Sequence, residues 1–435
     1  MDSCVASLAL SATATKQIAQ WEKNIAPGFA SFPVVWESAK GHTVTDTDGK
    51  EYIDMISQFA VVNFGHSHPH IIEAVIEQTR RCALTNTSYM NPLYGRLATR
   101  LTEKFGYDAI ASMVTGAEAV DALIKIARKW AYVTKGIPND EAIILTTDQC
   151  YHGLTLATMG LSNRIAQNFG KHLPNVGPHD PQTGQVVRFG DVGDLENALA
   201  GSSGRIAAVL IEPVQGYAGT KTPPKGYLTA VQDLCRKHNV LFLCDEVQTG
   251  FGRTGFDLAY QRESGVKPDM VALGKALTGG ATPMSLVMGK AHVMDIIEQG
   301  DIVSTFAASP VGCAAALAVL DVLEAEDISA RSQQLGLVLA DAIDRAQLPY
   351  ILEHRGRDAG LFQTLVVDEK PELGITARRI AALCALRGVL CGNAANRLRL
   401  SPPLVIAEDA LCRSVEVIAK AFRDVGTLGL FPGST

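Results

Sequence analysis

Four stretches of the chain are apolar without interruption and end in polar residues: EAIILTT (141–147), IAAVLIEP (206–213), NVLFLCDE (239–246) and DMVALGK (269–275). Runs of that length without alternation predict strands buried on both faces, the habit of mainly parallel sheets. Between them the apolar positions take a helical spacing, as in AEAVDALIKIARKWAYV (117–133) and YLTAVQDLCRKHN (227–239). Strand and helix patterns in alternation predict an α/β fold with a doubly wound sheet. Upstream, residues 1 to about 60 read as a helix, an irregular stretch and a hairpin, the last marked by Asp48-Gly49 between the β-prone arms of GHTVTDTDGKEYIDM. Beyond about 320 the pattern becomes mixed α+β, running from the helix AAALAVLDVLEAE to the helix DALCRSVEVIAKAF. The expected organisation is a large domain over 65–320. A smaller α+β domain is built from the N-terminal segment 1–64 and the C-terminal part 321–435.

Composition narrows the function classes. With 435 residues, 47% of them hydrophobic and 19% charged, the chain can bury more than one core. A net charge of −6 implies no basic face, which argues against nucleic acid as a partner. No apolar run reaches the ~18–20 residues of a membrane span. The nine cysteines (Cys4, Cys82, Cys150, Cys235, Cys244, Cys313, Cys384, Cys391 and Cys412) are odd in number, scattered and without a C-x-x-C pair. That usage fits reduced thiols inside a cell. The start, MDSCVASLALSATATK, has Asp2 and no Arg, a poor match to a mitochondrial leader, and lacks the basic lead of a secretion signal. The cytoplasm is therefore the expected compartment, ahead of the mitochondrion.

Sites in open α/β sheets form beyond the C-terminal strand ends. Glu212, Asp245 and Lys275 each fall at such an end. Gly250, Gly252 and Gly255 spell G-x-G-x-x-G, the signature of a dinucleotide loop, but DEVQT separates them from the strand that should lead straight into it. A second reading starts from Lys275 in ALGKALTGG. A lysine at a strand end can form an imine with an aldehyde cofactor. Asp245 could then hold the proton on a pyridine nitrogen, since an opposite charge favours the charged form. Thr115, Gly116 and Ala117 open a long helix whose first amides suit a phosphate. Tyr151, after another strand, could stack on a flat ring. His66, His68 and His70 in GHSHPH have the look of a metal cluster taken alone.

The segments VTGAEAVDALIKIARKW, YHGLTLATM, IEPVQGYAG, CDEVQTGFGRTG, LGKALTGG and RLRLSPPLV occur in this order. Together they resemble the class III aminotransferases of fold type I, which use pyridoxal 5'-phosphate, and most closely the ornithine aminotransferase branch. The resemblance runs from about residue 25 to 425. It implies that Lys275 carries the cofactor and shuttles the proton, and that Asp245 pairs with the ring nitrogen. Gln248 would contact the ring 3-oxygen, Val247 and Tyr151 would cover the two ring faces, and Gly116 and Ala117, with Thr115, would hold the phosphate. Glu212 would support Asp245. Thr305 in VSTFAASP would reach the phosphate of a neighbouring subunit, implying a homodimer with shared sites. Arg399 would grip a substrate carboxylate, a task suited to the two parallel hydrogen bonds of a guanidinium. The family's GH-x-HP segment carries no metal, so none is expected here.

Departures from the family pattern fall among the substrate contacts. Phe29 and Phe59 stand where ornithine aminotransferases have tyrosines, and Leu154 stands where they have an arginine. Tyr217 replaces a glutamate that often pairs with the arginine at the Arg399 position, and FAASP (306–310) replaces YGGNP. A buried carboxylate without a partner is costly, so ornithine in its usual pose is not expected. The expected reaction moves an amino group from an amino acid or amine to a 2-oxo acid, with 2-oxoglutarate suggested by the resemblance. A racemase or decarboxylase of the same fold stays open as an alternative, because the core motifs are common to all three.

Overall fold

The structure, a computed structural model, describes residues 10–26, 32–85, 87–161, 175–202 and 204–434. It divides into two compact units, Met1–His68 with Ala330–Thr435, and Pro69–Ser329.

The first unit begins with strands β1 (Trp36–Lys40), β2 (Thr43–Asp46) and β3 (Glu51–Asp54), paired antiparallel in sequence. Asp46 closes the β2–β3 hairpin: its Oδ1 accepts the amides of Asp48 and Lys50, while Gly49 takes φ +79. That is the turn Asp48-Gly49 announces, since glycine adopts a left-handed conformation without a Cβ clash.

Among its described residues the second unit carries seven strands: β4 (Ala109–Met113), β5 (Ile143–Leu145), β6 (Val176–Gly177), β7 (Ile206–Ile211), β8 (Leu241–Asp245), β9 (Met270–Leu273) and β10 (Ser285–Gly289). They form one sheet in the order β4-β10-β9-β8-β7-β5-β6. Strands β5 to β9 run parallel, and β10 runs antiparallel to both β4 and β9. Strands β7, β8 and β9 are buried at every position, which is why their sequences show no alternation. The helix Gly116–Trp130 packs Val120, Leu123, Ile126 and Ala127 into a core with Ala208, Leu210, Leu243 and Ala272. Burying one such leucine fully contributes roughly 1.5–3 kcal/mol. The remaining strands, β11 (Ile351–Arg355), β12 (Gln363–Val367), β13 (Val389–Leu390), β14 (Gly392–Ala394) and β15 (Arg397–Leu400), belong to the first unit. There β13 joins β3 in parallel, and the others form a second sheet ordered β11-β12-β15-β14. Among the described residues no helix is long and apolar enough to cross a membrane.

Directly beyond β8, Glu246 is fully buried, accepting the Tyr260 amide at 2.8 Å and the Thr249 hydroxyl. Burial pushes its carboxyl up to about 7, and these hydrogen bonds offset only part of that. A carboxyl raised in the fold binds more protons folded than unfolded between about 4.5 and 7. Stability should therefore fall as pH rises through that window and level off above it. Glu246→Gln removes this dependence. The melting temperature of the variant relative to the native protein is expected to rise from pH 5 to pH 8, by an amount corresponding to on the order of 3 kcal/mol. A parallel pair of Tm–pH curves would refute it.

Candidate active site

The site starts at the helix Gly116–Trp130. Thr115 is its N-cap: the hydroxyl accepts the Glu118 amide, and Glu118 Oε2 returns to the Thr115 amide at 2.7 Å and the Val114 amide at 3.2 Å. This capping box commits the Thr115 side chain to the helix. The amides of Gly116 and Ala117 take no hydrogen-bond partner among the described residues. They stand in the first turn of a fifteen-residue helix, where an anion is favoured by both the open N–H groups and the helix dipole. Gly116 also has a steric reason to be glycine, for a Cβ there would lie 2.7 Å from Val247 Cγ1.

Strand ends supply the charged groups. Asp245 closes β8; its Oδ1 accepts the Val247 amide at 2.9 Å and its Oδ2 pairs with His152 Nδ1 at 2.8 Å. His152 is buried. Burial alone would lower its pKa, but the neighbouring Cys150 sulfur and the Asp245 carboxylate outweigh that and raise it well above the ordinary value. His152 thus fixes the orientation of the Asp245 carboxyl group. Glu212, at the end of β7, accepts the Tyr151 amide at 2.8 Å and the Gly216 amide at 3.2 Å. Burial pushes its carboxyl up to about 7, against the pull of His152 and with the push of Asp245. The two bonds draw the YHG loop and the QGY turn together, and the rings of Tyr151 and Tyr217 stack with centroids 5.1 Å apart.

Lys275 follows β9 after Gly274 and opens the short turn Lys275–Thr278. Its φ is +44, a left-handed conformation that a side chain adopts at a cost of about 1–3 kcal/mol. Lys275, Asp245, Glu212, Tyr151, Gln248 and Val247 line one cavity of about 240 Å³ together with Gly116, Ala117, His152 and Leu154. Leu154 is 59% exposed there. With Gly153 and Thr249, twelve described residues from five separate chain segments converge, all within the second unit.

The other residues singled out from sequence fall elsewhere. Thr305 is exposed on a loop of the second unit, beside Phe306 and Val303, each 60% exposed. In the same loop Ala308 takes φ +54, where glycine would be at ease. Arg399 on β15 and Phe59 belong to the first unit, with the guanidinium carbon 5.9 Å from the ring centroid. Phe29 lies outside the described residues. The glycine run 250–255 forms turns, with Gly252 and Gly255 at positive φ, and opens no helix. His66 pairs with Asp54 and His70 with Asp321. Among the described residues no group of three or more His, Cys, Asp or Glu could hold a metal ion. The sequence reading passed over His152, although it sits beside Tyr151 in the very motif quoted for that residue. Nothing in the spacing says that it faces a strand end 93 residues away.

Residues 25–422 match the family model "Aminotransferase class-III". The ornithine aminotransferase of Schizosaccharomyces pombe is 40% identical over 422 residues, covering 96% of this chain and 96% of its own. The crystal structure of ornithine aminotransferase from Toxoplasma gondii superposes with a TM-score of 0.88 at 35% identity, covering 97% of each chain. A second structure of that enzyme, TM-score 0.88 at 35% identity over 95% of this chain and 94% of its own, has pyridoxal phosphate at partial occupancy in its active site.

The chain is a class III aminotransferase.

It is accordingly a pyridoxal-phosphate-dependent transaminase, taking an amino donor and a 2-oxo acid, and the racemase and decarboxylase alternative is not favoured. The cavity fits the cofactor. Two unpartnered amides at a helix start suit its phosphate, a glycine keeps the wall open, a buried aspartate oriented by His152 suits a ring nitrogen, and one lysine amine suits its aldehyde. When bound, pyridoxal phosphate supplies a ring that withdraws the electron pair left on the substrate carbon. The chain itself must orient that ring and move a proton at the reacting carbon with a positioned base.

Proposed function

We propose that this aminotransferase acts on an amino acid or amine with a less polar side chain than ornithine, with 2-oxoglutarate as the amino acceptor. Leu154 carries the proposal. It presents an apolar surface to the cofactor cavity at the place where ornithine aminotransferases resemble one another in having an arginine. A leucine cannot pair with a carboxylate, and leaving a carboxylate unpaired in a confined site costs several kcal/mol. Tyr217, stacked on Tyr151, adds a second apolar face where a glutamate is frequent in the family. The substrate α-carboxylate is assigned to Arg399, as the resemblance implies, and the side chain to the apolar groups. Lys275 is assigned the catalytic proton transfer, and Gly116, Ala117, Asp245, Val247, Gln248 and Tyr151 the cofactor.

Leu154→Arg tests this. The variant is expected to bind the cofactor normally, to lose at least about tenfold in kcat/KM for the preferred donor found in a screen of amines and amino acids, and to gain affinity for ornithine-like or dicarboxylic donors. A variant that neither loses the first nor gains the second would remove Leu154 from the substrate pocket.

We also infer a homodimer. Tyr89, Met90, Val303 and Phe306 are exposed on two loops of the second unit that are tied together by Asn91 Nδ2 donating to Ala308 O at 2.9 Å. An apolar group of this kind fits a second copy, with Thr305 on the same loop reaching the neighbour's phosphate site. The eight described cysteines are all free, which supports assignment to the cytoplasm.

A further inference from the structure

Four consecutive residues, Ser57, Gln58, Phe59 and Ala60, have φ of +45, +52, +60 and +69, and none is glycine. This is a full turn of left-handed helix, which each L-residue resists because its Cβ crowds the following carbonyl oxygen. Such a turn persists only where the surroundings over-determine it. Here they do. Asp54, fully buried at the end of β3, accepts the amides of Ile56 at 2.7 Å and Ser57 at 2.9 Å through Oδ1. Its Oδ2 takes His66 Nε2 at 2.8 Å. Ser57 Oγ donates to Ser401 O at 2.7 Å, Ser401 Oγ donates to Ile56 O at 3.2 Å, and the Ser401 amide donates to Met55 O at 2.8 Å. Ser401 is two residues beyond Arg399 on the same extended segment. The turn is therefore stapled to the strand that carries Arg399, and its tip places the Phe59 ring 5.9 Å from the Arg399 guanidinium carbon, within cation–π range. Gly392, opposite Arg399 on β14, keeps the space open, since a Cβ there would meet Ile56 Cδ1 at 2.8 Å.

We propose that Asp54 and His66 are positioning residues for carboxylate recognition: they hold the left-handed turn so that Phe59 fixes the plane of the Arg399 guanidinium. This rests on the reading of Arg399 as the carboxylate-binding residue. A guanidinium receives a carboxylate through two parallel N–H groups only when its plane is set correctly. A ring held at its face removes rotational freedom that the long arginine side chain would otherwise lose on binding. It also gives His66 of the GHSHPH motif a task that is not metal binding.

The test uses holoenzyme in the pyridoxamine phosphate form, with cofactor absorbance following its reaction with pyruvate, 2-oxoglutarate and, as a carbonyl without a carboxylate, butanal. Calorimetry gives the dissociation constant of 2-oxoglutarate for the pyridoxal form. Phe59→Leu and His66→Leu are expected to raise the half-saturating concentration of both oxo acids, and the calorimetric constant, about tenfold. Butanal should stay within about twofold. His66→Gln, which restores a donor to Asp54, is expected to recover most of the loss. Equal effects on oxo acids and butanal, or no effect on either, would overturn the positioning role while Arg399→Gln still weakens the oxo acids selectively. If Arg399→Gln itself shows no such selectivity, the reading of Arg399 falls and this inference with it.

Discussion

Lys275→Ala is expected to lower kcat by about four orders of magnitude or more while leaving the fold and cofactor binding in place. General-base catalysis by a positioned side chain is worth about 10²–10⁴. On the proposed assignment Lys275 would also supply the amine that binds the cofactor aldehyde, so a second activating contribution would be lost. Among the described residues no other lysine lines the cavity. The Gly116 and Ala117 amides and the Asp245 side chain, to which cofactor binding is assigned, are untouched by the change, so the variant should retain cofactor, held without a covalent bond. Lys275→Arg should be equally inactive, because a guanidinium stays protonated and cannot act as a base. Borohydride reduction of the native holoenzyme should fix the cofactor on the peptide containing Lys275 and on no other, and should fix none on the alanine variant. An adduct on a different lysine, or residual turnover above about 1%, would overturn the assignment. The strained φ of +44 belongs to the same argument. The backbone keeps an unfavourable conformation at the position where the chemistry needs the amine aimed into the cavity.

The large sheet was legible because burial on both faces writes itself into the chain. IAAVLI and LFLC have no polar position to misread, and they fall in β7 and β8. Strand β10 was not, since SLVMG is short, holds two small residues and reverses direction in the sheet for reasons that lie in its neighbours. The helix boundaries were nearly right: the run 117–133 is an α-helix to Trp130 followed by one wider turn, Ala131–Lys135, a change that no propensity marks. At the site, the residues that line the cavity were legible through their motifs, because several of them fall at strand ends or at a helix start. The supports were not. His152, Glu246 and the left-handed turn at 57–60 depend on contacts between segments distant in sequence, and a serine-glutamine-phenylalanine-alanine string carries no sign of positive φ.

Asp245→Asn is the second large effect, with an expected loss of about 10³ in kcat. A neutral amide cannot hold a proton on the ring nitrogen by charge, and each unit by which that nitrogen's pKa falls removes about 1.4 kcal/mol of preference for the protonated ring. A loss of 10³ corresponds to about 4 kcal/mol in the barrier, the size expected when an ion pair in a confined site becomes a neutral contact. His152 is coupled to it. Its Nδ1 lies 2.8 Å from Asp245 Oδ2, and both groups are buried. His152→Leu leaves the carboxylate with one partner fewer, so its charge is dispersed less and its orientation is looser. A smaller loss, about tenfold to a hundredfold in kcat, is expected, with little change in KM for the amino donor. Because the two residues form one hydrogen-bonded unit, their losses should not add. The double variant should be about as slow as Asp245→Asn alone, since without the charge there is nothing left for His152 to hold. Single-turnover rates of the four proteins close this cycle, and the cofactor absorbance of each reports the ring protonation independently of turnover. Additive losses would separate His152 from Asp245, and an Asp245→Asn enzyme retaining a tenth of native turnover would remove the ring-nitrogen role altogether.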